Sequence, residues 1–253
     1  MGSLRVATHA PTEVQALAAL LPGDTWLTAL SPAEADIANL HPLESLLIRG
    51  ESAERSRQFA AGRHCARRAM ATLGLGPAPL LRRRDGAPDW PLTLRGSITH
   101  KSGLCLALVG LAAEISGIGI DLEPSRALPA PLWRRVFTDA ELRLLDPMPP
   151  ARQAISARLR FSAKESYYKW YRSQGGVHES DFADVEVDVR GDALNVRPVA
   201  GTGLPDVRGC CVQGSTWLIT ALWSNAGDPT PRVSVESPNA RSCVPSTGLT
   251  IRP

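Results

Sequence analysis

In the stretch Gly117-Ile118-Gly119-Ile120-Asp121-Leu122-Glu123, apolar residues recur at every second position. That period marks a β-strand, whose side chains point alternately to opposite faces. Ile118, Ile120 and Leu122 are expected in the core, while Gly119, Asp121 and Glu123 share the other face. Adjacent carboxylates repel unless a cation or a shared proton neutralises them, and Mg²⁺ takes one or two carboxylates together with phosphate oxygens. Gly119 is expected to leave that face open. Taken alone, Asp-x-Glu equally suits a solvated strand face.

On either side of this strand the patterning stays regular. Leu104, Leu106 and Leu108 alternate as in a half-buried strand, which residues 110–117 could return to 118–123 as a hairpin, with Thr99 and His100 near one end of the pair. Farther upstream, Phe59, Gly62, Ala66, Ala69, Met70 and Leu73 recur at three and four, predicting a helix over 52–73 with Ser52 as N-cap and Gly74 at its stop. Its polar positions carry Arg55, Arg57, Arg63, Arg67 and Arg68, and Arg82, Arg83 and Arg84 follow in a Pro- and Gly-rich loop. Such a series is either a solvated basic face or an anion site, since a guanidinium can grip phosphate through two hydrogen bonds.

Downstream, Thr138 and Glu141 suit a capping box, and a second long helix is expected over 151–172. Within it Glu165 and Lys169 stand four apart, in the orientation of a helix-surface ion pair. Val185, Val187 and Val189, then Leu194 and Val196, and the run 217–223 read as strands. Residues 1–50, broken by Pro11, Pro22, Pro32 and Pro42, suit short elements. From Asn225 onward Pro, Ser, Arg and Gly dominate without period, as in a disordered tail.

With 253 residues, 43% of them hydrophobic, the chain can bury a sizeable core. A net charge of +3 is too small to argue for nucleic acid. No apolar run is long enough for a bilayer and the first 22 residues lack a signal-peptide pattern, so a cytoplasmic protein is expected. Cys65, Cys105, Cys210, Cys211 and Cys243 show no zinc spacing, and their odd number argues for reduced thiols. His64 and Cys65 read as ordinary helix residues, because neighbours on a helix do not face each other.

Three blocks, Gly96-Ser97-Ile98-Thr99-His100, then Gly119-Ile120-Asp121-Leu122-Glu123, then Phe161-Ser162-Ala163-Lys164-Glu165-Ser166-Tyr167-Tyr168-Lys169, together resemble the signature of the 4′-phosphopantetheinyl transferases. Gly62-Arg63-His64-Cys65-Ala66-Arg67 and Gly86-Ala87-Pro88-Asp89-Trp90-Pro91 look like the branch of enterobactin-synthetase-associated enzymes and actinobacterial activators of polyketide and peptide synthetases. The resemblance implies an α+β fold of two similar halves related by a pseudo-twofold, each with a small, mainly antiparallel sheet and a long helix, packed around a coenzyme A cleft. The halves are expected at 1–117 and 118–224, the second with the metal site, ahead of the 225–253 tail.

The implied reaction moves phosphopantetheine from coenzyme A to a serine of an apo acyl or peptidyl carrier protein, as in polyketide, nonribosomal peptide and fatty acid biosynthesis, and releases adenosine 3′,5′-bisphosphate. By the same resemblance Asp121, Glu123 and Glu165 would hold Mg²⁺ or Mn²⁺. Arg55, Arg63, Arg82, Thr99, His100, Lys164 and Lys169 would contact the coenzyme, and Glu165 and Lys169 would be catalytic. Some relatives carry lysine where this chain has Ala87, which makes 82–84 the candidates for that phosphate contact. Glu165 could remove the serine proton directly or through a metal-bound water, burial raising its pKa and metal ligation lowering it. A monomer without nucleic acid or membrane partner is expected. The rival readings are a metal-dependent phosphohydrolase or nuclease using the same carboxylates, and a non-catalytic module binding nucleic acid or an acidic protein through its arginines. The Asp-x-Glu pair would repel a polyanion in such a module unless a metal were present.

Overall fold

The computed structural model describes residues 10–76, 78–101, 103–176 and 181–228. Helix α1 (Thr12–Leu20) and strand β1 (Thr25–Leu30) lead to the short α2 (Pro42–Ser45) and the long α3 (Ala53–Thr72). Strands β2 (Leu94–Lys101), β3 (Leu104–Leu111) and β4 (Ile115–Pro124) follow, then α4 (Trp133–Val136), α5 (Asp139–Leu145) and the long α6 (Pro150–Ser173). The chain continues through β5 (Val185–Arg190), β6 (Ala193–Pro198), β7 (Val207–Gln213) and β8 (Trp217–Asn225). Among the described residues the strands form two antiparallel sheets, ordered β1-β3-β2 and β4-β8-β7-β6-β5.

The expected ends of the helices are built by the expected groups. Ser52 Oγ accepts from Arg55 N at 3.2 Å, and Gly74 follows α3 at φ 74°. Thr138 and Glu141 close a reciprocal capping box on α5. Helix α3 covers one face of the first sheet, where Ala61, Cys65 and Ala66 meet Cys105 and Ala107. Helix α6 covers the second sheet through Ala163, Tyr167 and Trp170, against residues that include Val187, Val196 and Leu222. The remaining faces meet in one apolar core, Leu106 and Leu108 of β3 with Ile118 and Ile120 of β4 and Val14 and Leu17 of α1. Each long helix thus belongs to one sheet, and the two sheets share a core.

The hairpin between β3 and β4 does not form. Both edges of β3 are taken by β1 and β2, so β4 crosses to the second sheet and pairs with β8 from Ile115, starting before the expected boundary at 118. The leucines of β3 still meet the isoleucines of β4, face to face through side chains. For the same reason β3 is buried on both faces rather than half-buried. Gly96-Ser97-Ile98-Thr99-His100 is itself strand, within β2, turning into β3 at Gly103 with φ 92°. Strands β1 and β7 had no legible alternation. In β7 Cys210 and Cys211 are both buried, so the period of two is lost.

Gly119 does not leave its face open either. A Cβ there would lie 2.0 Å from Ser166 O and 2.5 Å from Trp170 N, so the missing side chain is the space into which the backbone of α6 fits. Most of the tail, from 229, lies outside the described residues; Asn225 ends β8, with its N–H donating to Asp228 Oδ2 at 2.7 Å.

Candidate active site

Strands β2 and β4 are edge strands of different sheets, and their edges meet. The N–H groups on β4's free edge find side-chain acceptors: Ile120 N donates to Ser97 Oγ at 3.1 Å and Ile118 N to Ser173 Oγ at 2.8 Å. At this seam β2, β4 and α6 bring their charged residues together.

Asp121, 5% exposed, is held on both oxygens. Its Oδ1 accepts from Lys169 Nζ at 2.7 Å and Thr99 Oγ1 at 3.3 Å, and its Oδ2 from Ser162 Oγ at 2.9 Å. Lys169 Nζ also donates to Ile120 O at 3.0 Å. Lys169 therefore bridges to the strand instead of making the expected surface pair with Glu165. Glu123, 2% exposed, lies between Lys101 Nζ at 2.8 Å and Arg158 Nη1 at 2.6 Å. Arg158 also donates to Arg126 O and Ala127 O, at 3.0 and 2.7 Å, which ties the chain after β4 to α6.

The Glu165 carboxylate has no hydrogen bond or ion pair among the described residues. Burial raises its pKa and neighbouring Asp121 adds to the rise, with Lys169 opposing. Arg55 Nη1 lies 3.2 Å from His100 Nε2. A guanidinium can only donate, so Nε2 accepts and the imidazole is neutral with its proton on Nδ1. Burial lowers the pKa of His100, and Arg55, Lys169 and Lys101 lower it further.

The basic face of α3 divides by helical position. Arg55, Phe59 and Arg63 follow one another at intervals of four on one side of the helix. Arg63, 5% exposed, lies over the Phe59 ring at 4.3 Å, with its Nε unpaired, and Arg82 lies over the same ring at 5.1 Å. Desolvation brings Arg63 down to about 10, with Glu44 opposing and Arg82 adding. Arg67 pairs instead with Glu44, and Arg57 and Arg68 are exposed. Arg82 bridges to Pro88, and Arg83 N donates to Ala87 O at 2.8 Å, so the backbone that carries these arginines pairs with the Gly86-Ala87-Pro88 turn that lacks a lysine.

Lys164 is not brought to this cluster. Its ammonium is fully buried and bonded to Glu141 at 2.5 Å, Val136 O at 2.8 Å and Phe182 O at 2.8 Å. Five residues at about 100° each put it roughly 140° round the helix from Lys169, so the two cannot serve one site. Sequence reasoning missed Arg158 and Ser162, although Arg158, Ser162, Glu165 and Lys169 recur at four, three and four along one face of α6. It also missed Lys101, for which strand spacing gave no signal.

A cleft of about 680 Å³ opens beside the cluster, lined by Ala87, Trp90 and Ser97 from one half and Lys169, Arg172 and Gln174 from the other. The Trp90 ring lies against Gly96, where a Cβ would be 2.5 Å from it. Among the described residues no three Asp, Glu, His or Cys side chains gather as a cation site. Asp121 and unbonded Glu165 suit a hard cation, their mutual repulsion being what such an ion relieves. Glu123, between Lys101 and Arg158, and Asp121, bonded by Lys169, Thr99 and Ser162, would each have to exchange a donor for the cation.

A carboxylate and ammonium cluster beside a cleft lined by cations defines a phosphate-handling site. Residues 43–110 match the profile of the 4′-phosphopantetheinyl transferase N-terminal domain, and residues 117–205 that of the 4′-phosphopantetheinyl transferase superfamily. The 4′-phosphopantetheinyl transferase Svp of Streptomyces mobaraensis is 35% identical over 232 residues, 87% of this chain and 94% of that protein. The chain belongs to the 4′-phosphopantetheinyl transferase superfamily. The transferase PptT of Mycobacterium tuberculosis is 38% identical over 131 residues, and Npt of Nocardia iowensis 39% over 132. These alignments span 51% and 52% of this chain and 57% and 59% of the two relatives. The crystal structure of Thermotoga maritima holo-acyl-carrier-protein synthase aligns with 43% of this chain and 62% of its own, at 19% identity and a TM-score of 0.35.

Proposed function

We propose that this chain transfers 4′-phosphopantetheine from coenzyme A to a serine of an apo acyl or peptidyl carrier protein. The observation that carries the reading is the convergence of Asp121, Glu165, Lys169, His100 and Arg55 at one seam beside the cleft, in a chain that matches 94% of the length of a named transferase. The serine oxygen attacks the pantetheine-side phosphorus, the bridging P–O bond breaks, and adenosine 3′,5′-bisphosphate departs.

Glu165, half-buried beside Asp121, is suited to take the serine proton, burial raising its pKa and a bound cation lowering it. Lys169, at the border of cluster and cleft, can shift from Asp121 toward the charge growing on the leaving phosphate. Neutral His100 offers its Nδ1 proton, and Arg55 holds that ring in place. Arg63 and Arg82 flank Phe59 as a cradle for a coenzyme phosphate. Mg²⁺ or Mn²⁺, held by Asp121, Glu123 and Glu165, would neutralise the pyrophosphate.

The halves 1–117 and 118–224, a monomer acting in the cytoplasm, and independence from nucleic acid belong to the same proposal. Its support is that one chain supplies both walls of the cleft. The phosphohydrolase or nuclease reading draws no support from the three relatives, all named transferases. The test is incubation with coenzyme A, Mg²⁺ and an apo carrier, followed by mass measurement of the carrier. A gain of one phosphopantetheine, lost on chelation, is expected. Hydrolysis of coenzyme A with an unmodified carrier would favour the rival.

A further inference from the structure

Glu44 is fully buried in α2, far along the chain from the cluster, yet besides capping its own helix it bonds two distant segments. Its Oε2 accepts from Arg67 Nη1 of α3 at 2.6 Å and from His41 N at 3.1 Å. Its Oε1 accepts from Leu80 N at 2.9 Å. Leu80 is itself fully buried in the core that contains Phe59, and it stands two residues before Arg82. The carboxylate therefore fixes the start of the loop that carries Arg82 against the helix that carries Phe59 and Arg63.

It also answers a problem of charge. Arg63 and Arg82 face one phenyl ring, and two guanidiniums held so close repel each other. Arg63 Nε has no hydrogen-bond partner among the described residues. Glu44 is the buried carboxylate whose field opposes that repulsion, and Arg67 Nη1, 2.6 Å from its Oε2, orients it. With the buried anion removed, the loop has no reason to hold a second cation beside the first.

We propose that Glu44 is a positioning residue for the Arg63–Phe59–Arg82 cradle: by bonding Leu80 N and Arg67 it holds Arg82 where a coenzyme phosphate would lie between the two guanidiniums. The inference rests on the coenzyme reading above. Glu44 touches no substrate, so its effect appears in coenzyme affinity and not in the chemical step.

The test uses the full chain, with adenosine 3′,5′-bisphosphate as the calorimetric probe, in wild type, Glu44→Gln, Arg82→Ala and the double variant. Glu44→Gln should weaken binding about tenfold and raise KM for coenzyme A by a similar factor, with kcat within about twofold. In the Arg82→Ala background the same substitution should cost far less, because the group it positions is gone. An equal loss in both backgrounds, or unchanged affinity in Glu44→Gln, would overturn the proposal while leaving the coenzyme reading intact. Failure of the wild type to bind the nucleotide would overturn both. Should Glu44→Gln not fold, amide exchange in the wild type decides: the nucleotide should slow exchange at Leu80, and an unchanged rate there overturns the proposal.

Discussion

Lys169 is the residue at which structure and chemistry meet most closely. Its ammonium joins Asp121 to Ile120 O and also borders the cleft. Lys169→Ala should slow single-turnover transfer by roughly a hundredfold or more, the scale of removing one transition-state donor. Lys169→Arg should restore only part of the rate, since a flat fork cannot make both contacts of a compact ammonium. A normal rate in Lys169→Ala would return the residue to a purely structural role. His100 gives a second prediction, in pH. In the unfolded chain its imidazole takes a proton as pH falls through about 6.5, whereas burial and the adjoining cations resist that proton in the folded state. The unfolded state then binds more protons, so stability is lost as pH falls from about 6.5 toward the lower folded pKa; at higher pH this loss is absent. Between about pH 7 and about pH 5, His100→Gln should lose less melting temperature than the wild type, and an equal loss would show that His100 is free to titrate. Asp121→Ala is costlier than repulsion between bare carboxylates suggests, because Thr99, Ser162 and Lys169 all donate to it.

At the scale of elements, the seam depends on how closely α6 approaches β4. Gly119→Ala places a methyl group on helix backbone that cannot turn aside, and should cost about 3 kcal/mol with loss of transfer as α6 shifts. Wild-type melting in that variant would mean the helix can give way freely. Lys164 and Lys169 can be separated by the same kind of reasoning. Lys164→Met leaves Glu141 buried with no cation and should destabilise by about 3–5 kcal/mol, while coenzyme KM stays near wild type in whatever protein folds. Adding Glu141→Gln should recover part of the stability; none recovered would mean the pair is not the source of the loss. Much of this was legible in the sequence. The alternation of 118–123, the two long helices and their Ser52 and Thr138 caps depend on local periodicity, which the chain carries openly. The partner of β4 was not legible, because pairing is decided by which edges remain free after β1 takes one side of β3. Arg158 lay within reach of helical spacing, whereas the role of Glu44 shows only in its bonds to Arg67 and Leu80, both far from it in sequence.

In the whole molecule, the reaction is assigned to the junction of two sheets, each backed by its own long helix. The first half supplies Arg55, Arg63, Thr99 and His100, and the second Asp121, Glu165 and Lys169. Neither half carries both the cation cradle and the carboxylates, which is why both must be held in one chain or one complex. No helix among the described residues is long and apolar enough to cross a membrane. In the proposed reaction this junction couples cleavage of coenzyme A to modification of a carrier serine. The direct measurement is a quenched single turnover with limiting coenzyme A and excess apo carrier, counting the bisphosphate released and the carrier modified in the same samples. The two should rise together, one for one, and slow together in Lys169→Ala. Bisphosphate released ahead of carrier modification, or without it, would contradict the proposed reaction.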